Sequence, residues 1–350
     1  MEGKGRRATD GVCSDGEIAI EVCETVRNDH VFIVTSTCAP VNVHLMELLL
    51  LIRTVVRCSA RQITVVIPYM GYSRQDAPSH HNSATVAAAD AMFFLATAGA
   101  TDIISVNLHS EQIEGFVRGP VDNLKPWLVF VGPIRELALG PMSSAPIVLV
   151  APSAKAVTRV QEVRDKLAEF GIDTALAVMV RDMAAKAAPA GAAVEGGLAL
   201  DVNQIIKGKS EASRTMVGEA MVPGAHCIIV DDIAFTANTL LGSAVDLVER
   251  GAASVRAFVT HPVFSQPDIM DRIDAIDGLV SVYVTDTIPL PPDARVSDKV
   301  TVISVAEILG EAIVRSYTAE VLPDGAVVSS PPIRGLALPS PRKRRFHINT

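Results

Sequence analysis

The feature that most constrains the fold is a twice-repeated alternation of short apolar runs with longer amphipathic ones. Val31 to Thr35, Gln62 to Ile67 and Asp102 to Val106 are short and rich in β-branched residues. Continuous apolar runs suit strands buried on both faces, because a half-exposed strand would alternate. Between them, Leu45 to Cys58 and Ser83 to Ala98 have the length and spacing of helices, the second stopped by Gly99. The pattern then begins again. Ile147 to Val150, Ala175 to Val180, Cys227 to Val230, Ser254 to Val259 and Leu279 to Val284 read as strands. Val157 to Phe170 and Thr239 to Arg250 read as helices, and Val300 to Ser316 as a last strand and helix. Alternating βα units imply parallel strands with right-handed crossovers. The expected class is α/β, with two domains of mostly parallel sheet.

The 350 residues fit two domains at roughly 100–200 residues each. The expected division is 1–125, 145–316, and a Pro-rich, basic tail at 317–350 that is expected to be disordered. Pro126, Pro133 and Pro141 make Lys125 to Ser144 the expected linker. Ala184 to Glu211 reads as a low-complexity loop or insertion, and a loop that long is usually functional or disordered.

The net charge of −8 argues against general nucleic-acid binding. The basic run Arg342 to Arg345 has two readings, a solvated tail or a localisation or partner signal. Five cysteines, with no closely spaced pair, form neither a disulfide frame nor a zinc site. Cys38, Cys58 and Cys227 lie in or beside apolar runs and read as buried free thiols of a reducing, cytoplasmic compartment. The start is polar and unlike a signal peptide. The longest apolar stretch, Leu45 to Val56, is interrupted by Glu47 and Arg53 and is too short to span a bilayer.

A series of motifs runs through most of the chain in order. They are Ser14 to Glu17, Thr37 to Pro40 with Leu45 to Leu48, and Ile67 to Asp76 (IPYMGYSRQD). Asn107 to His109, Gln112 to Phe116 and Pro120 to Leu124 follow. Val230 to Asp232 with Thr236 and Thr239, then Thr260 to Ser265, then Thr285 to Leu290 (TDTIPL) complete it. Together they resemble the ribose-phosphate pyrophosphokinase family, including its non-catalytic associated subunits. The likeness covers about residues 13–315. It implies two phosphoribosyltransferase-like domains and dimers that build hexamers. It also implies transfer of the β,γ-pyrophosphoryl group of Mg-ATP to the 1-hydroxyl of ribose 5-phosphate.

The resemblance assigns Arg74, Gln75 and Asp76 to the ATP site, with Asp15 and Glu17 reaching it across a subunit interface. A surface salt bridge is the plain alternative for Arg74. His109 would touch ATP phosphate and Mg²⁺, or else serve as a hydrogen-bonded structural residue. Asp231 and Asp232, at a strand end, would take Mg²⁺ or ribose hydroxyls, with helix capping as the alternative, and Thr236 could itself be the cap. Thr236 and Thr239 belong by likeness to the ribose-phosphate site, and Arg181 to the catalytic loop.

Three places depart from the family. Its sugar-phosphate loop DTGGT is Phe235 to Thr239 here, with Phe235 for aspartate and Ala237 and Asn238 for the glycines. Phosphate loops favour glycine because a Cβ obstructs close approach of backbone N–H groups. The loop SPDAGGVKR is Ala151 to Arg159, with Ser153, Lys155 and Ala156 substituted. Arg181 stands alone where the family has a basic run. Phosphoryl-type transfer depends on positioning and charge stabilisation, so turnover by this chain alone is expected to be impaired. A regulatory subunit that joins synthetase relatives is the alternative reading.

Overall fold

The computed structural model describes residues 5–12, 14–78, 85–125, 127–181, 214–318 and 345–347. By internal packing the chain divides into two units, Met1–Leu128 with Ser304–Thr350, and Val129–Ile303.

In the first unit, β1 (Gly5–Val12) and β2 (Ile18–Val22) form an antiparallel pair. The main sheet has β3 (His30–Val34), β4 (Gln62–Ile67), β5 (Asp102–Val106) and β6 (Val121–Leu124), all parallel and in that order. Two helices cross between strands, α1 (Val41–Arg57) and α2 (Ala87–Ala98). Each buries one stripe: Leu48, Leu51, Ile52 and Val55 on α1, and Ala88, Ala91, Met92, Leu95 and Ala98 on α2. Both follow the three-and-four spacing of a helix with one apolar face. These stripes and the strands share one core.

The second unit begins within α3 (Trp127–Leu139), followed by β7 (Ile147–Ala151), α4 (Val157–Glu169) and β8 (Ala175–Arg181). After β9 (Arg214–Val217) come β10 (His226–Ile233), α5 (Asn238–Glu249), β11 (Ser254–His261), α6 (Ile269–Asp274), β12 (Leu279–Thr285), α7 (Pro292–Arg295) and β13 (Val300–Ile303). The sheet order is β13-β12-β11-β10-β7-β8-β9, antiparallel only at β8 and β9. Every residue of β7 and β11 is buried. A last helix, α8 (Ala306–Thr318), groups with the first unit and not with the second. A further short strand, β14 (Arg345–His347), lies parallel to β1.

The α/β class with mostly parallel sheets is therefore observed. The boundary between the two units, Leu128 to Val129, falls inside the proline-marked stretch Lys125 to Ser144, but most of that stretch is α3, with Pro133 inside the helix. An interior proline costs about 3 kcal/mol. Phe130 and Ile134 are fully buried, and Trp127, Val129 and Val131 nearly so. Each large side chain gains about 1.5–3 kcal/mol on burial, so packing outweighs the break. The Ala184 to Glu211 insertion lies outside the described residues, as do Cys13 and most of the 317–350 tail. Cys38 and Cys227 are buried free thiols, and burial pushes Cys227 up to about 12; Cys58 is half-buried.

Gly99 ends α2 at φ +120°, where an added Cβ would stand 2.6 Å from Val56 Cγ2. Gly171, at φ +74°, has open space around it. Gly99→Ala is expected to cost about 1–3 kcal/mol and Gly171→Ala about 1 kcal/mol. Urea midpoints measure both, and equal losses would remove the steric explanation.

Candidate functional site

Parallel β4 and β5 pair Ile67 with Ser105, so their carboxyl ends open on the same edge of the first sheet. Past β4 the chain folds back tightly. The Gly71 N–H donates to Thr37 Oγ1 at 2.7 Å, and Thr37 Oγ1 donates to the Tyr69 carbonyl at 3.1 Å. A Cβ at residue 71 would lie 2.6 Å from the Thr37 carbonyl oxygen, so this approach requires glycine. Tyr72 takes φ +64°, and the Gln75 N–H closes onto the Tyr72 carbonyl at 2.8 Å. The turn leaves Arg74 and Gln75 exposed and Asp76 half-buried.

Past β5, the Asn107 N–H donates to the Leu124 carbonyl at 2.9 Å. The Leu108 N–H donates to Asn123 Oδ1 at 2.9 Å. The Leu108 side chain is buried, and His109 emerges half-buried at the sheet's edge. Arg74, Gln75, Asp76 and His109 therefore stand on two loops at one edge, where open α/β sheets place ligands. Asp15 and Glu17 lie elsewhere, exposed in the turn between β1 and β2, where Asp15 Oδ1 accepts the Glu17 N–H at 3.1 Å.

In the second unit β10 continues past Val230, so Asp231 and Asp232 lie within the strand. Asp231 Oδ1 accepts the Asp232 N–H at 3.0 Å, and Asp232 Oδ1 accepts the Ile233 N–H at 2.9 Å. Arg159, on α4, sets Nη2 3.3 Å from Asp232 Oδ2 and Nη1 3.9 Å from Asp231 Oδ1. Adjacent parallel strands bring this about: β7 runs beside β10 and leads into α4. The sequence reading named Arg159 only as the end of a loop. Its basic charge in the first turn of the helix after β7 was the available signal.

Burial raises the Asp231 carboxyl to about 7; the charge of Asp232 pushes the same way, and Arg159 opposes both. Asp231 therefore tends to keep its proton toward neutral pH, beside the Asp232 carboxylate and the Arg159 guanidinium. A protonated Asp231 can donate a hydrogen bond to a hydroxyl as well as accept one.

The loop after β10 is propped by the segment after β11. The Ala234 N–H donates to the His261 carbonyl at 3.0 Å, and the Phe264 N–H to the Ala234 carbonyl at 2.9 Å. The Phe235 carbonyl accepts from the Ser265 N–H at 2.9 Å and from Ser265 Oγ at 3.1 Å. The Phe235 side chain is 41% exposed. Thr236 and Thr239 are half-buried. Neither aspartate nor Thr236 caps α5, contrary to the capping alternative. The cap position is Ala237, at φ +52° and with no side-chain bond. An alanine there carries the left-handed strain a glycine avoids.

Lys155 is exposed in the short turn Ala154–Ala156. Arg181 ends β8 opposite Arg214, and its side chain lies outside the described residues. No three carboxylate, imidazole or thiol groups converge as a metal cage among the described residues.

The pair sets a pH dependence. In the unfolded chain Asp231 loses its proton near the usual 3.8, while in the folded chain it keeps it to about 7. The unfolded state thus binds fewer protons between these values, so stability falls as pH rises through about 4–7 and levels above. Asp231→Asn should flatten that fall and stabilise the protein at pH 8 by on the order of 1 kcal/mol. Thermal unfolding across pH tests this, and an unchanged profile refutes it.

Comparison with known proteins gives concordant matches. Residues 6–99 match a family described as the N-terminal domain of ribose phosphate pyrophosphokinase, and residues 177–324 match the phosphoribosyl synthetase-associated domain. The ribose-phosphate pyrophosphokinase of Bordetella pertussis is 34% identical over 314 residues, 90% of each chain. That of Pasteurella multocida is 37% identical over 315 residues, 89% of each. The crystal structure of phosphoribosylpyrophosphate synthetase from Mycobacterium smegmatis superposes with a TM-score of 0.74 at 30% identity, over 89% of this chain and 90% of that one. This chain belongs to the ribose-phosphate pyrophosphokinase family.

Proposed function

We propose that this chain serves the family's reaction, and that alone it turns over slowly. The reaction transfers the β,γ-pyrophosphoryl group of Mg-ATP to the 1-hydroxyl of ribose 5-phosphate. The hydroxyl oxygen loses its proton to solvent and bonds to the β-phosphorus as the bond from that phosphorus to the α-phosphate oxygen breaks, and AMP leaves with that oxygen. The observation that carries this reading is the Asp231–Asp232 pair with Arg159, set where β10 runs into the loop before α5. The pair would hold ribose hydroxyls, with Thr236, Thr239 and the amides that open α5 near the 5-phosphate. Arg74 and Gln75 would bind the nucleotide, with Asp76 beside them and Asp15 and Glu17 joining from another subunit. Arg181 would offset charge on the transferred group.

Mg²⁺ commonly binds through one or two protein groups plus substrate phosphates, so the absence of a three-ligand cage among the described residues fits an ion that arrives with ATP. His109 would help hold it, and the ion would screen phosphate charge. We place the protein in the cytoplasm, in keeping with its buried free thiols, and in an oligomer of its own kind or with synthetase relatives. The exposed Phe235 and the strained Ala237 favour a second reading, a regulatory subunit of a synthetase complex. Phenylalanine can neither accept a hydroxyl hydrogen bond nor act as a base.

Purified protein should form AMP from ATP and ribose 5-phosphate well below the usual 1–10³ per second. Phe235→Asp with Ala237→Gly should raise the rate by on the order of 10²-fold. A wild-type rate already in the ordinary range defeats the impairment, and no gain in the variant favours the regulatory subunit. Calorimetric titration should find ATP bound at least as tightly as ribose 5-phosphate. Tight sugar-phosphate binding without nucleotide binding would reverse the assignment of the two sides.

A further inference from the structure

The segment that props the sugar-phosphate loop continues into α6, and α6 turns a cation back onto that loop. Arg272 is 8% exposed. Its Nη2–H donates to Asn238 Oδ1 at 2.7 Å. Its Nη1–H reaches the Thr236 carbonyl at 3.5 Å, a long contact. Its Nε–H is buried and finds no acceptor among the described residues. A guanidinium is charged at any ordinary pH, and burying it is costly unless acceptors meet it. The two acceptors that do meet it flank Ala237, the left-handed residue at the start of α5.

We propose that Arg272 is the positioning residue of the Phe235 to Thr239 loop. By gripping Thr236 and Asn238 it holds Ala237 in its left-handed conformation, a shape that glycine adopts without restraint. The backbone N–H groups that open α5 are thereby kept in one arrangement, suited to an anion at a helix N-terminus. The buried positive charge adds attraction for the same anion. Asn238, in place of a family glycine, supplies the acceptor that makes the grip possible. The inference deepens the functional reading above, since it takes this loop to be the ribose 5-phosphate site.

Two measurements on the full-length protein separate the grip from the ligand. Amide hydrogen exchange of the ligand-free protein reports the loop, and calorimetry with ribose 5-phosphate and with ATP reports binding. Arg272→Met should speed exchange across residues 234–241 by about tenfold while leaving β7 unchanged, as expected when a charged hydrogen bond is lost. It should weaken ribose 5-phosphate binding by about tenfold and change ATP binding less than about twofold. Arg272→Lys, which keeps the charge and one donor, should restore part of the loss. Adding Asn238→Ala to Arg272→Met should do no further harm, because the two act through one contact.

Should Arg272→Met fail to fold, Asn238→Ala alone must still speed exchange in the same segment. Unchanged loop exchange overturns the proposal. So does an equal loss for both ligands, or faster exchange throughout the second unit. If loop exchange responds as expected but the wild-type protein binds no ribose 5-phosphate, the grip stands and the assignment of the loop to the sugar phosphate falls.

Discussion

Strands buried on both faces leave a parallel sheet only its strand ends for polar chemistry. In both units the central strands are largely sealed from solvent, β11 along its whole length, although it carries Ser254, Arg256, Thr260 and His261. The polar and charged side chains of the two loop clusters gather where strands run out into loops, whereas Arg256 is buried within β11. Arg74, Gln75, Asp76 and His109 follow β4 and β5, and Asp231 and Asp232 lie near the end of β10, just before Ile233 ends it. The two loops at each edge owe their proximity to strand register, as in the pairing of Ile67 with Ser105 and of Ile229 with Val150.

The two loop clusters differ in how they are held. On the first sheet the turn after β4 keeps its glycine, because Gly71 passes too close to the Thr37 carbonyl for any side chain. On the second sheet the glycines expected from the family are gone, and hydrogen bonds stand in their place. The segment after β11 fastens Ala234 and Phe235, and Arg272 fastens Thr236 and Asn238. A loop shaped by such contacts is less free to change conformation than one shaped by glycine. Beside it, burial and the charge of Asp232 hold the Asp231 carboxyl well above the usual carboxylate range, and Arg159, closer to Asp232 than to Asp231, only partly offsets them.

Much of this was legible in the amino-acid order. The strands Gln62–Ile67 and Asp102–Val106 were read with their observed limits, since continuous β-branched runs bounded by polar residues have few alternatives. The loop motifs could be read because local backbone geometry demands particular residues. Helix α3 was misread because Pro133 signals a break locally, whereas the burial of Phe130 and Ile134 that overrides it comes from distant residues such as Phe258, whose ring meets Phe130 at 5.4 Å. The strand β6 and the grouping of α8 were hidden for the same reason, since neither pairing partner nor packing face is encoded nearby.

The sequence by itself determined the α/β class, the family and the identity of the altered loop residues, because periodicity and motif spacing are properties of the chain alone. Tertiary structure decided which charges meet. Arg159 lies 72 positions from Asp231 and Arg272 lies 34 from Asn238, yet each reaches its partner across neighbouring strands. It also decided the state of Asp231, since desolvation and a neighbouring charge act through space and leave no mark in the order of residues.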